Sequence, residues 1–158
     1  MFRELTRKKK QITTDECIEI LKSEKRGVLS VLGDDDYPYG MPMNHWYNDD
    51  DKSIYFHSGK QGHRPDAIKK HDKVSFCVYN EGYRNEGEWA LTIKSVIVFG
   101  RIEVIEDLEK VVDITRKLSY KFTSDDEYIE NEIRLYAHKT QLLKLSIEHM
   151  CGKMITES

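Results

Sequence analysis

No apolar run in this chain approaches the roughly 20 residues that a membrane-spanning helix needs. The polar opening MFRELTRKKK is followed by no apolar signal region. No membrane partner is expected on that reading. A basic excess is missing as well: Lys and Arg number 25 against 28 Asp and Glu, for a net charge of -3. That balance argues against nucleic acid as a partner, because a basic surface would be required. The basic clusters Arg7–Lys10 and Lys69–Lys70 are local. Cysteine is scarce: Cys17, Cys77 and Cys151 are odd in number, far apart and without paired spacing. They suit small apolar side chains in a reducing cytoplasm better than disulfides.

Several catalytic signatures are also absent. The chain has no Ser-His-Asp order, no paired-carboxylate motif and no Rossmann-type glycine fingerprint, so nucleophilic and glycosidic catalysis find no support. Six histidines raise the question of a metal, yet His57, His63, His71 and Cys77 lack the close helical or paired spacings of a tetrahedral site. No metal is expected.

What is present is enough for one domain. At 158 residues the chain buries a real core without staples. Nine Tyr, five Phe and two Trp predict an aromatic-rich interior or interface, and Trp46, Tyr83 and Trp89 are read first as packing residues. Residues 1–12 are charged and unpatterned and read as a mobile or loosely docked arm; residues 13–158 form the domain. Thr13 and Glu16 have capping-box spacing and open a helix that Gly27 would stop. Strand patterns follow at Val28–Leu32, Tyr39–Tyr47, Ser53–Ser58, Lys73–Tyr79, Glu88–Glu106 and Leu142–His149. Pro42 inside the second demands an edge, a bulge or a place where something else meets the backbone. Gly100 inside the fifth predicts a bulge or bend of the kind that curls a sheet into a barrel. Leu108, Val111, Thr115 and Leu118 fall at helical spacing, and Ser124 with Glu127 predicts a second capping box, opening a helix to about His138. Six strands with few helices in antiparallel order favour a mainly β fold, a small closed barrel with peripheral α-helices, over a parallel sheet.

The functional signal lies between Tyr37 and Tyr79. After the strand IYFHS comes Gly59-Lys60-Gln61-Gly62-His63-Arg64-Pro65, a glycine-punctuated cationic turn. Pro65 suits the first position of a helix over Asp66–His71. Free backbone N–H groups at a helix N-terminus, with cations beside them, make an anion site of the kind that binds phosphate. The plainer reading of Lys60, Arg64, Lys69 and Lys70 is a solvated basic face, and that of His57 is a packed, hydrogen-bonded histidine.

The segments PYGMPMN, IYFHSGKQGHRPDAIKKHDKVSF and IKSVIVFGRIEVI, in this order, resemble the FMN-binding split barrels of the pyridoxamine 5'-phosphate oxidase-like superfamily, and within it the nitroimidazole-resistance (Nim-type) branch. The resemblance implies a six-stranded antiparallel split barrel that works as a homodimer with FMN at the subunit interface. It implies that Met41, Pro42, Met43 and Asn44 line the flavin ring through their backbone, and that His57 and Ser58 face the ribityl chain and phosphate. Lys60 and His63 would bind the phosphate, with Arg64 or Lys69 as supporting charge, and Ser95 and Val96 would close the same phosphate or ring edge. Two departures are mild: Gly59 stands where alanine is common, and Arg64 where lysine is common. The resemblance thus implies an FMN-dependent oxidoreductase passing electrons to a small flat acceptor such as a nitroaromatic compound. Oxidation of pyridoxamine phosphate itself is not expected, because the tail LLKLSIEHMCGKMITES has no Arg and no Trp. A non-catalytic flavin-binding or redox-sensing protein and a haem-binding barrel are the alternatives.

Overall fold

The computed structural model describes residues 1–157. Helix α1 (Thr14–Ser23) starts as the spacing predicts. The Glu16 N–H donates to the Thr13 hydroxyl (3.2 Å), and the Glu16 carboxylate accepts from the Thr13 N–H (2.9 Å). Its apolar side turns Cys17, Ile20 and Leu21 into the core. Gly27 does not stop this helix. It lies inside β1 (Arg26–Leu32), where a Cβ would strike the Phe76 ring and the Cys77 carbonyl.

The remaining strands are β2 (Pro38–Asn44), β3 (Trp46–Asn48), β4 (Ser53–Gly59), β5 (Lys73–Tyr79), β6 (Leu91–Ile105) and β7 (Thr140–Glu157). They form one antiparallel sheet in the order β2-β1-β5-β6-β7-β4-β3, curled into a split barrel. Leu29, Phe56, Phe76, Val98 and Leu143 fill its inner side. On the outer side of β4 and β7, helix α3 (Leu108–Tyr120) lays Val111 and Ile114 over Tyr55 and Leu142. Helix α4 (Asp126–Tyr136) packs beside it. Its cap is Asp125, which accepts from the Tyr128 N–H (2.9 Å), one residue beyond the Ser124 that the spacing suggests. The arm is docked: Gln11 bridges to Lys153, the Ile12 N–H donates to the Gly152 carbonyl (3.1 Å), and Phe2 stacks on His149. Among the described residues no helix is long and apolar enough to cross a membrane.

The strand count is seven, not six. The run expected as one strand over Tyr39–Tyr47 divides at His45, which is fully buried. Its backbone N–H goes to the Lys25 carbonyl (3.4 Å) and its own carbonyl accepts from the Lys121 ammonium (3.1 Å), so neither group serves a sheet ladder. The chain leaves β1 there and resumes pairing at the other end of the sheet, on β4. In β6, the predicted bend is a register shift between Phe99 and Gly100, where a Cβ on Gly100 would run into the Ser146 carbonyl.

The buried imidazole of His45 makes a pH prediction. Burial, aided by Lys121, pushes its pKa from 6.5 down to about 3. Between those values the folded state keeps the ring neutral while the unfolded chain binds a proton, so stability falls as pH drops from about 6.5 toward 3. Urea midpoints measured from pH 7 to 4 should decline more steeply in the unmodified protein than in a His45→Gln variant.

Candidate functional site

The sheet does not close. β2 pairs only with β1, and β3 covers only Ser53–Tyr55 of β4, so β2 and the Phe56–Gly59 part of β4 each keep one unpaired edge. The curl brings β2 and β4 into contact. Proline at position 42 is tolerated on such an edge strand. Beyond β4 the chain turns through Gly59–Gly62 into α2 (His63–Lys70). Gly62, at φ 120°, is the N-cap and offers no side chain to the first-turn N–H groups. The helix begins three residues earlier than Asp66, since the Asp66 N–H already bonds the Gly62 carbonyl (3.2 Å), and Pro65 is its third residue rather than its first.

Arg64 spans the split. Its Nε donates to the Ser58 hydroxyl on β4 (3.1 Å), and its Nη1 lies 2.8 Å from the Met43 sulfur on β2. Among the described residues no carboxylate pairs with this half-buried guanidinium, although burial lowers its pKa only from a very high starting value. It remains a cation. Met41 and Met43 point into the core, and Pro42 and Asn44 point outward on β2.

The other expected residues separate. His63 packs flat on Tyr39 (4.2 Å between ring centroids) and close over Gly33, and its Nε2 accepts from the Asp34 N–H (3.2 Å). Lys60 turns to the opposite side and donates to the His138 carbonyl (2.6 Å). Lys69 is exposed in the last turn of α2. His57 points away from Ser58, under α3, with its Nε2 3.2 Å from the Thr115 hydroxyl. There it opens on a cavity of about 220 Å³ also lined by Ser119, Tyr128 and Glu132. Ser95 and Val96 lie on β6, separated from β2 by β1 and β5; Val96 is in the core and Ser95 stands opposite Tyr79 and Lys153.

The sequence matches the model of the pyridoxamine 5'-phosphate oxidase family over residues 13–154. The chain belongs to that family. No curated protein sequence matches it. Among solved structures, it resembles a candidate 5-nitroimidazole antibiotic resistance protein from Bacteroides thetaiotaomicron at 19% identity and a TM-score of 0.77, over 93% of this chain and 87% of that one. A conserved hypothetical protein of Mycobacterium tuberculosis gives 16% identity and a TM-score of 0.79 over 95% and 90%. A FAD-binding protein of Mesorhizobium loti gives 22% and 0.64 over 92% and 96%. At these identities the likeness is one of fold.

In this family member, burial holds the His57 pKa below its ordinary value, which keeps the ring neutral near pH 7. Asp34 and Gln141 were not legible as site residues. Asp34 sits in a turn (Asp34–Asp36) whose next two residues adopt positive φ, and its carboxylate lies 3.6 Å from His63 Nε2 and 3.4 Å from the Lys70 ammonium. The run of three acids facing a basic turn was the available signal. Gln141, directly opposite Ser58 across the β4–β7 ladder, has a buried amide oxygen with no partner, and nothing in its neighbours announces it.

Asp34 therefore pairs with one cation of α2, Lys70. The pair is exposed and is worth about 0–1 kcal/mol, so an Asp34→Asn variant should keep its urea midpoint. Inorganic phosphate affinity, read by calorimetry at low salt, should rise roughly 2- to 5-fold because Lys70 is no longer shared with a carboxylate.

Proposed function

We propose that the split between β2 and β4 binds FMN and that the protein is a cytoplasmic, homodimeric FMN-dependent oxidoreductase acting on small flat acceptors such as nitroaromatic compounds. One observation carries the reading. Arg64 is a half-buried cation that bridges the two free strand edges with no carboxylate beside it, next to a helix start with no side-chain cap. Such a cation is completed by an anion, and a phosphate matches its forked donors. The free edge of β2 over Met41–Asn44 offers backbone groups to a flat ring, and Ser58 and Gln141 stand where a hydroxylated chain would link the two. Membership of the pyridoxamine 5'-phosphate oxidase family supports the same reading, as does likeness to a candidate 5-nitroimidazole resistance protein and a FAD-binding protein.

Bound flavin would supply the electron transfer. The chain's own residues would bind and orient it: Arg64 at the phosphate and the β2 edge along the ring. A second copy has a surface to cover. Pro42, Val28, Cys77, Ile97 and Cys151 form one cross-strand row on the outward side of the sheet, and Val28 is exposed.

The absorption spectrum of the purified protein with added FMN tests the reading, and Arg64→Met tests the residue that carries it. Loss of a charge-assisted contact worth about 1.5–3 kcal/mol should weaken FMN binding roughly 10- to 150-fold. Equal affinity in a folded Arg64→Met variant would place the phosphate elsewhere. Flavin uptake without turnover of any nitroaromatic acceptor would leave a flavin carrier rather than an enzyme.

A further inference from the structure

Among the described residues, Lys121 is the only lysine whose ammonium donates to backbone carbonyls of two distant elements. It comes from the C-cap of α3 and reaches across to donate to the Leu21 carbonyl in the last turn of α1 (3.0 Å) and to the His45 carbonyl at the β2–β3 break (3.1 Å). His45 Nε2 lies 2.8 Å from the same Leu21 carbonyl and 3.4 Å from the ammonium. Since a carbonyl oxygen has no hydrogen to give, the imidazole Nε2–H donates to it, and ammonium and imidazole share one acceptor. Glu24, at the C-cap of α1, is the carboxylate that acts on Lys121, through space and not by contact. Burial pushes the Lys121 pKa down to about 8, and a cation placed there still complements the C-terminal end of the α1 dipole.

His45 directly follows Asn44, the last residue of β2. That strand is held to the sheet by a single ladder, so whatever fixes His45 fixes the end of its free edge. We propose that Lys121 is a positioning residue that locks the β2–β3 break and thereby sets the free edge of β2 against which the flavin ring lies. The inference rests on the flavin reading above for its functional half, and on geometry alone for the rest. An apolar side chain of similar length would leave the His45 carbonyl without its donor and the Leu21 carbonyl with the imidazole alone.

Hydrogen-exchange mass spectrometry on the full-length protein decides it. Peptides spanning residues 38–48 should exchange about ten-fold faster in Lys121→Met than in the unmodified protein, while peptides from β6 and β7 do not change. FMN affinity, read by quenching of flavin fluorescence, should fall by about ten-fold in the same variant. Lys121→Arg, which keeps the cation, should restore both. Lys121→Gln replaces the Met variant if that one does not fold. Unchanged exchange over 38–48 in a folded variant overturns the positioning role, as does faster exchange spread evenly over the whole chain. Locally faster exchange with no FMN uptake by the unmodified protein leaves the role of Lys121 standing and removes the flavin reading instead.

Discussion

The long antiparallel ladder between β6 and β7 is the constraint on which the architecture depends. It runs from Leu91 opposite Glu157 to Ile105 opposite Leu142, with one slip at Phe99/Gly100. Every other strand attaches to one side of this pair or the other. The slip matters because a straight ladder of this length would hold the two halves of the sheet apart. By bending there, the sheet carries β2 and β4 round until they touch, and the core fills the concave side. Glycine at position 100 is what the close approach of Ser146 permits.

What the curl does not do is complete the ring of hydrogen bonds. The two strands that meet belong to opposite ends of the sheet, and Arg64 ties them by side-chain hydrogen bonds. The site is therefore defined by unsatisfied edges as much as by residues placed in it. Around it, the polar groups are sorted: the Asp34 carboxylate takes up Lys70 and its N–H takes up the His63 ring, Lys60 is drawn to the far side by the His138 carbonyl, and Arg64 is left without a counter-charge among the described residues. That distribution is finer than a generic basic turn. It separates the cation available to a ligand from those already engaged.

The local features of the fold were legible because they rest on short-range chemistry. The Thr13–Glu16 box, the alternating strands and the Gly100 bend all follow from residues close in the chain. The division of the second strand was not legible, because its cause is a lysine 76 residues downstream of His45. The same reason hid the scatter of the turn residues. Lys60, His63 and Arg64 are neighbours in sequence, yet a strand end and a helix start point successive side chains in different directions. Pro65 was misplaced by two positions because Gly62 begins the helix without any side-chain signature, using a backbone angle that glycine alone adopts freely. His57 kept both of its readings until the cover of α3 was visible, since alternation tells which side a residue faces and not what lies there.

The break at His45 has a mechanical consequence. Because β2 and β4 are not joined by a ladder, the seam between them widens without sacrificing a single interstrand hydrogen bond; the Arg64 contacts to Ser58 and Met43 are what must yield. Gaping at the seam is thus decoupled from unfolding of the sheet. The β6–β7 spine of the barrel takes no part in it.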